Sequence, residues 1–355
     1  MPRQPPHVDP ASVSRALVVL LGGIGNMVMF APALAALRRL LPGARITLMA
    51  EPFKSEQVLE PCGLYDELIT FDKRYNGVLE RARMALRMRP QRYDLLFVGS
   101  GTNPLGGVML GVLGGVPIRV GEARGPFGRL YNVRVPYEPG LHEVLAHRRL
   151  AEAAGAHVDG EPFVCLSDDD RAWAEGFLTG CGLGERRPLL AIHPGCKTQF
   201  PQKRWRAERF AAVARAASES GAGVYIVGGP ADAEAVAGVQ AALPQPLPDA
   251  SFGSTVRQMA AVVGRADVLL SNDSGPMHIA AAQGVPCVAL FGPTDPARFG
   301  PWGQGHTVIR ASVSCAPCYR GRDVACAQAD CMKSIAVDEV VAAVTDVLAR
   351  TRGGG

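Results

Sequence analysis

One stretch, residues 266–303, limits the fold more than any other part of the chain. It reads as an apolar run at 268–270, a polar turn, a helix, a second apolar run at 288–291 and a second polar turn. Short apolar runs between polar turns are typical of parallel strands buried on both faces. Two such strands joined through a helix form a βαβ unit, so the stretch predicts an α/β fold with a parallel sheet.

The helix inside this stretch begins with residues that suit an anion-binding turn. Asp273 and Ser274 are good N-cap residues, Gly275 lets a ligand approach the backbone, and Pro276 fits a first helical turn. The N–H groups at this helix start would point past the carboxyl end of the preceding strand, where α/β sheets bind ligands and phosphates are favoured. His278 can donate a further hydrogen bond. A capped helix with a solvated histidine is the alternative.

A second polar turn, Gly-Pro-Thr-Asp at 292–295, follows the next strand. The carboxyl ends of neighbouring parallel strands lie at the same edge of a sheet. Two polar turns at one edge make the floor of a pocket, and this favours a binding site over a plain helix cap.

The two turns together resemble a known family. A D-S-G-x-x-H turn at 273–278, followed by a strand that ends F-G-P-T-D-P at 291–296, is similar to glycosyltransferase family 9, the heptosyltransferases of the lipopolysaccharide inner core. The resemblance implies the GT-B fold, in which two Rossmann-like domains face a central cleft. It also implies a glycosyltransferase that moves heptose from ADP-heptose to a lipopolysaccharide core or other surface glycan acceptor, with inversion and without an obligatory metal.

Length and composition agree with two domains. The chain has 355 residues, of which 48% are hydrophobic and 20% charged, an ordinary globular composition. We expect a disordered leader at 1–15, an acceptor-side domain at 16–165, a linker region at 166–187, a donor-binding domain at 188–335 and a C-terminal helix and tail at 336–355.

The sequence also bears on localisation and partners. No apolar run approaches the length of a membrane span, and the N-terminus lacks the apolar segment of a signal peptide, so we expect a cytoplasmic protein. The formal net charge is +4, and the segment 73–92 is strongly basic. This segment is either a solvated helix face or a surface that attracts an anionic acceptor or the cytoplasmic face of the inner membrane. We expect no nucleic-acid partner.

A glycine-rich turn at 22–26 follows the first apolar run and precedes a helix. In family 9 the turn that it resembles carries an aspartate, the proposed catalytic base, and here this position is Asn26. A neutral amide cannot accept a proton from an acceptor hydroxyl and can only orient it. His142 and Glu143 resemble a His-Glu segment of the family and are candidate substitutes for the missing carboxylate. A helix-capping role for them is at least as plausible.

A further turn, in the second half of the chain, resembles a donor-binding segment of the family. His193, Gly195 and Cys196 lie in this turn, after an apolar strand, and Lys203 lies shortly before Trp205. The resemblance implies that Lys203 binds the phosphates or the sugar of the donor. A surface cation is the alternative interpretation of Lys203.

The remaining donor-binding candidates follow from the same resemblance. The family places an acidic residue near 232–234 to hold the ribose, and Glu234 fits this role better than Asp232, although a charge at a helix N-terminus is an equal alternative. The departing nucleoside diphosphate would be stabilised by Lys203 and by the helix start at Ser274, Gly275 and His278. For Asp273 we expect turn stabilisation first and donor contact second.

The C-terminal region contains four cysteines with the spacing C-x₂-C-x₇-C-x₄-C, namely Cys315, Cys318, Cys326 and Cys331. Four thiolates suffice for a structural zinc site. Free thiols in a reducing cytosol are the favoured alternative, and we assign neither a metal nor a cofactor.

Two other functions compete with sugar transfer. One is a different nucleotide-sugar enzyme of the same architecture, such as an epimerase, because fold alone does not define function. The other is a nucleotide-sugar-binding protein without transferase activity, which the replacement of the family's aspartate by Asn26 would explain.

Overall fold

The structure is a computed structural model that describes residues 8–52, 54–71, 77–102, 104–319, 324, 326 and 328–352. The chain divides into two compact units, Met1–Phe163 and Val164–Gly355. Residues 1–7 of the expected leader, 73–76 of the basic segment and 353–355 of the tail lie outside the described residues.

The first unit contains a parallel sheet with the strand order β3-β2-β1-β4-β5-β6. Its strands are β1 (Arg15–Leu20), β2 (Arg45–Ala50), β3 (Glu67–Thr70), β4 (Leu95–Val98), β5 (Ile118–Ala123) and β6 (Val133–Pro136). Its helices are α1 (Ile24–Leu40), α2 (Val78–Met88), α3 (Pro104–Leu113) and α4 (Glu143–Ala153). The chain changes direction across the sheet between β1 and β4, so the turns after these two strands open at one crevice.

Alternation along the strands gives the first unit two buried faces. Leu17 and Val19 of β1 pack with Ala85 of α2 and Val108 of α3 in one core cluster. Successive side chains of a strand point to opposite faces of the sheet. Phe97 of β4 points to the second face, where it contacts Phe30 of α1 with ring centroids 5.9 Å apart. Helices therefore cover both faces, as a parallel sheet requires.

Residues 8–14 are held against the first unit. A 3-10 helix, Pro10–Ser12, is capped by the Asp9 side chain, and Val8 and Val13 are buried. The Asp94 carboxylate accepts hydrogen bonds from the backbone N–H and the hydroxyl of Ser14, both at 2.9 Å. Order therefore extends further towards the N-terminus than we expected from the sequence.

The second unit contains a parallel sheet with the order β11-β10-β9-β7-β8. Its strands are β7 (Leu189–His193), β8 (Gly223–Ile226), β9 (Val268–Asn272), β10 (Cys287–Phe291) and β11 (Thr307–Arg310). Its helices are α5 (Asp168–Gly180), α6 (Ala207–Glu219), α7 (Ala233–Ala241), α8 (Val256–Val263), α9 (Gly275–Ala282), α10 (Pro296–Phe299), α11 (Asp330–Lys333) and α12 (Val337–Arg352). Across all described residues, no helix is both long and apolar enough to cross a membrane.

The region that we expected to be a linker contains helix α5 of the second unit. A capping box formed by Ser167 and Asp170 starts this helix. The Asp170 carboxylate also accepts a hydrogen bond from Arg257 of α8 at 3.0 Å. At the other end of the chain, Val340 and Val344 of α12 are buried in the core cluster of this unit. Both helices therefore belong to the packed body of the second unit.

The switch point of the second sheet lies between β7 and β9. These strands are hydrogen-bonded neighbours although β8 lies between them in the sequence. The turns that follow β7 and β9 therefore meet at one edge of the sheet, and the turn after β10 lies beside them.

Candidate functional site

Asn272, the last residue of β9, ties these turns together. Its side-chain amide donates to the carbonyl oxygens of Pro194 at 2.9 Å and Gly195 at 3.1 Å. Its side-chain oxygen, Oδ1, accepts a hydrogen bond from the backbone N–H of Trp205 at 3.0 Å. Asn272 is fully buried, so both its donors and its acceptor are matched without water. This one side chain fixes the turn after β7 and the segment that carries Lys203 relative to β9.

Lys203 and Asp273 form a buried ion pair at the edge of the sheet. The Lys203 ammonium donates to the Asp273 carboxylate at 2.6 Å, and the Thr294 hydroxyl donates to the same oxygen. The two side chains are only 11% and 8% exposed. Burial by itself would raise the pKa of Asp273, but the charge and hydrogen bond of Lys203, with Thr294 and His278, outweigh it and lower the pKa. Asp273 is therefore ionised at neutral pH.

Two aromatic rings line the Lys203 ammonium. Its nitrogen lies 4.9 Å from the ring centroid of Tyr319 and 5.7 Å from that of Phe200. Ring faces attract cations, and they keep water away from this side of the ammonium. An ammonium has three N–H donors, so donors remain for an anionic ligand beside Asp273.

Helix α9 starts next to this ion pair. Ser274 is its N-cap residue, but the Ser274 side chain makes no capping hydrogen bond to the helix. An N-terminal turn whose cap side chain is turned away leaves backbone N–H groups for a ligand, and the helix dipole favours an anion there. His278 is buried in the first turn, close enough to Asp273 to lower its pKa.

The Ser274 hydroxyl bonds instead to a buried histidine. His193 Nδ1 lies 2.9 Å from Ser274 Oγ, and His193 Nε2 lies 3.3 Å from a carboxylate oxygen of Asp232. Burial would raise the pKa of Asp232, but the hydrogen bond and charge of His193, the N–H of Gly229 and the charge of Arg204 lower it. Asp232, His193 and Ser274 thus form one continuous hydrogen-bonded chain.

The other predicted donor-binding residues have different surroundings. The Cys196 thiol contacts the carbonyl oxygen of Phe200 at 3.3 Å, and burial raises its pKa to about 11, so it stays protonated and packs within the turn. Glu234 is 88% exposed and pairs with Arg204 at 2.9 Å. Of the two acidic residues considered from the sequence, Asp232 lies against the turn after β7 and Glu234 lies on the surface.

The first unit has a second cluster of polar residues, which lies at the switch point of its own sheet. Asn26 lies in the first turn of α1, and Gly101 lies in the turn after β4. The position of a Cβ on Gly101 would be 4.0 Å from the Asn26 amide nitrogen and 3.6 Å from a carboxylate oxygen of Glu143. The Leu21 N–H donates to the Thr102 hydroxyl at 3.2 Å and joins the two turns. Asn26 and Glu143 therefore both approach Gly101.

His142 and Glu143 have different roles at the start of α4. His142 is the N-cap residue, and its Nδ1 accepts the Val144 N–H at 3.2 Å, which is the capping role considered from the sequence. Glu143 is 1% exposed and lies 4.0 Å from Nε2 of His147. His147 Nδ1 accepts the Ser100 N–H at 3.3 Å, so the ring proton is on Nε2 and faces Glu143. Of the two candidates, Glu143 is the buried carboxylate, and it lies near Gly101.

The four C-terminal cysteines do not form disulfides. Among the residues that the structure describes, no group of three or more His, Cys, Asp or Glu side chains is arranged to hold a metal ion. Cys331 packs against the turn after β10, where a Cβ on Gly292 would lie 3.0 Å from its sulfur.

Sequence reasoning did not assign three residues that organise the second-unit site: Asn272, Thr294 and Asp232. Asn272 and Thr294 are polar residues at or just after the ends of two buried apolar runs, and this position is the sequence feature that could have indicated them. The sequence feature that relates to Asp232 is Gly195, because a side chain at position 195 would occupy the space of the Asp232 carboxylate. These contacts join positions between 21 and 78 residues apart, which explains why periodicity did not reveal them.

The contact between Gly195 and Asp232 gives a test of this geometry. A Cβ at position 195 would lie 1.9 Å from Oδ1 of Asp232, a carboxylate whose other oxygen, Oδ2, is held in place by His193 and Gly229. We expect Gly195→Ala to lower the free energy of unfolding by about 1–3 kcal/mol, the usual cost of overpacking. Gly229→Ala is the matched control, since a Cβ there meets nothing within 4 Å. Equal stabilities of the two variants in denaturant unfolding would contradict the arrangement.

The sequence of the chain is similar to known proteins of one family. The family model for glycosyltransferase family 9 (heptosyltransferase) matches residues 107–327, more than half of the chain. Lipopolysaccharide heptosyltransferase 2 of Escherichia coli is 26% identical over 315 residues, which cover 83% of this chain and 88% of that protein.

Two solved structures share the fold over almost the whole length. The glycosyl transferase of family 9 from Veillonella parvula has a TM-score of 0.75 and 26% identity, and the alignment covers 95% of this chain and 97% of that one. ADP-heptose lipopolysaccharide heptosyltransferase II of E. coli has a TM-score of 0.72 and 22% identity, with 95% and 99% covered. The expected GT-B class, with two parallel α/β sheets, is confirmed. The chain belongs to glycosyltransferase family 9, the heptosyltransferases, and is a glycosyltransferase.

Proposed function

We propose that this protein transfers heptose from ADP-heptose to a lipopolysaccharide core or related surface glycan acceptor, with inversion at the anomeric carbon. The observation that carries the proposal is the anion site of the second unit, where the Lys203 ammonium and the start of α9 lie at the carboxyl edge of the sheet. Turnover of ADP-heptose with a truncated lipopolysaccharide acceptor tests it directly.

The second unit supplies the donor side of the reaction. The diphosphate of the donor accepts hydrogen bonds from Lys203 and from the N–H groups at the start of α9. As the bond between the anomeric carbon and the phosphate oxygen breaks, negative charge grows on the departing ADP. Preorganised donors at this place stabilise that charge more in the transition state than in the ground state.

The first unit supplies the acceptor side. The acceptor oxygen attacks the anomeric carbon as the phosphate leaves, and the hydroxyl proton must go to a base. Asn26 orients this hydroxyl, and Glu143, a buried carboxylate that, like Asn26, approaches Gly101, takes the proton. Glu143 thereby does the work of the aspartate that Asn26 replaces in the family turn.

The two competing functions lead to different outcomes in the same assay. A binding protein would hold ADP-heptose without turnover, and an epimerase would change the donor without an acceptor. The match of the family model over 107–327 and the heptosyltransferase relatives support the transferase over both.

The division of labour at the acceptor side gives one prediction. Glu143→Gln should lower turnover by about 100-fold or more, the range for loss of a general base, while ADP affinity stays unchanged. Asn26→Ala should lower turnover less, and Asn26→Asp should maintain or raise it, because a carboxylate there can accept the proton. Wild-type turnover by the folded Glu143→Gln variant would exclude Glu143 as the base. Identical rates for the wild type and both Asn26 variants would reduce Asn26 to a helix-start residue.

The donor side gives a second prediction. Lys203→Ala should weaken ADP binding by about 1.5–3 kcal/mol, roughly 10- to 150-fold, the range for a hydrogen bond to a charged group. Lys333→Ala is the control, because this lysine of the same unit is exposed and pairs with Asp330. His278→Ala should have a smaller effect than Lys203→Ala. Calorimetric titration that finds unchanged affinity in the Lys203 variant would make this residue a structural cation.

We further propose that the protein works at the cytoplasmic face of the inner membrane, in peripheral contact with lipid. The outer face of α2 exposes Leu79 (62%) and Leu86 (54%), and Arg83 and Arg87 are exposed on the same helix. Helix α3, which packs beside α2, exposes Leu113. Leucines flanked by arginines suit an interface of anionic headgroups and acyl chains.

This surface can be tested with lipid vesicles. The wild type should sediment with vesicles that contain phosphatidylglycerol, less so as salt is raised, and the double variant Leu79→Glu, Leu86→Glu should lose most of this binding. Phe252→Glu is the control, since Phe252 is a 52% exposed aromatic residue of the other unit. Equal sedimentation of the two variants would refute the assignment of α2.

A further inference from the structure

Residues 315–319, which we call the strap, follow β11 and bring Tyr319 to the Lys203 ammonium. The ring centroid of Tyr319 lies 4.9 Å from the ammonium nitrogen, nearer than that of Phe200 at 5.7 Å. An ammonium within about 6 Å of a ring centroid is attracted by the face of the ring. The strap therefore adds a second contact to an ammonium that Asp273 already holds.

The turn after β10 fixes the strap and the ion pair together. The carbonyl oxygen of Pro293 accepts hydrogen bonds from the backbone N–H groups of Cys318 and Tyr319, both at 2.9 Å. The next residue of this turn, Thr294, donates its hydroxyl hydrogen to the Asp273 carboxylate. One turn thus places both the ring and the carboxylate that contact the lysine.

Two further rings set the orientation of the Tyr319 ring. Its centroid lies 5.3 Å from that of Phe200 and 6.1 Å from that of Phe299, and both pairs meet edge to face. This is a favoured arrangement of aromatic side chains. Phe200 is buried, whereas Tyr319 is partly exposed. The Tyr319 ring is therefore held in place by its backbone and by its neighbours before any ligand arrives.

A fixed ring has a physical advantage beside a lysine that binds an anion. A long lysine side chain loses rotamer freedom when it binds, and this loss weakens binding unless the side chain is already ordered. A single hydrogen bond to Asp273 leaves the ammonium free to swing about that bond, and the ring face limits this motion. A second carboxylate would do the same but would add a negative charge that repels a phosphate. The ring restrains the ammonium without adding that charge.

We propose that Tyr319 is a positioning residue of the donor site, which holds the Lys203 ammonium where it meets the diphosphate of the donor and thereby raises donor affinity. The inference rests on the proposed donor site. It goes beyond that site because it gives the strap a function that needs no contact between Tyr319 and the ligand. Tyr319 then acts on the ligand only through Lys203.

The first part of the test is calorimetric titration of the full-length protein with ADP. Tyr319→Leu should weaken ADP binding about 3- to 10-fold, the range for the loss of one ring contact and of the order in one side chain. Tyr319→Phe keeps the ring face and should bind ADP as the wild type does. Phe299→Leu is the matched control and should also bind as the wild type does, because it removes a ring that packs on Tyr319 while both rings beside the ammonium stay.

The second part is a double-mutant cycle, because a structural role of the strap would also change affinity. If Tyr319 acts only through Lys203, Tyr319→Leu should cause no further loss of ADP affinity in the Lys203→Ala variant. Tyr319→Met, which also lacks a ring but fills space with an unbranched side chain, replaces Tyr319→Leu in the cycle if the leucine variant does not fold.

The possible results separate this inference from the donor site. Unchanged ADP affinity in the folded Tyr319→Leu or Tyr319→Met variant, with weakened binding by Lys203→Ala, would overturn the inference and leave the donor site intact. An equal loss in the wild-type and Lys203→Ala backgrounds would overturn it too, since Tyr319 would then act without the lysine. Absence of ADP binding by the wild type would overturn the proposed donor site and, with it, this inference.

Discussion

The second unit depends on the three hydrogen bonds of Asn272. An α/β sheet brings the ends of neighbouring strands together but leaves the loops beyond them free to diverge. Here one buried amide holds two carbonyl oxygens of the turn after β7 and the backbone N–H of Trp205. A carboxylate of the same shape would place an acceptor against two carbonyl oxygens, and a leucine would leave all three groups unpaired. The positions of Lys203, His193 and Asp273 follow from this side chain.

In the anion site that we propose, the charge of Lys203 is paired with that of Asp273. Asp273 pairs with Lys203 in a nearly dry environment, and the attraction within the pair offsets the cost of burying it. The pair is neutral as a whole, so in the donor site that we propose the attraction for phosphate comes from the remaining N–H donors of Lys203 and from the helix start. The Asp273 carboxylate accepts hydrogen bonds from the side chains of Lys203 and Thr294, and it acts by holding Lys203 in place.

The sequence predicted the elements of this protein better than their contacts. The central strands were recognisable because each is an apolar run followed by a polar turn, and the family resemblance identified the architecture. Two edge strands, β6 and β11, were missed, since each has only four residues and mixes apolar with charged side chains. Residues 8–14 were expected to be disordered because nothing local indicates that Asp94 will bind Ser14.

The same distinction holds for the candidate sites. Asn26 and Glu143 were both singled out from the sequence, but they are separated by more than 100 residues, and only the fold brings them to Gly101. The sequence pattern favoured Glu234 over Asp232, although both lie at the start of the same helix. Burial separates them, since one is packed against Gly195 and the other is exposed to solvent.

The outer edge of β8 affects how readily this protein can aggregate. Where a doubly wound sheet would continue with another full strand, only a short bridge is present: Ile226 pairs with Asp249, donating to the carbonyl of Pro248 and accepting from Ala250. Pro246 and Pro248 have no backbone N–H, so this covering segment offers few donors to its outer side. An edge of this kind is a poor template for a strand from another molecule. The incomplete strand thus protects the sheet of the second unit from growing into an aggregate.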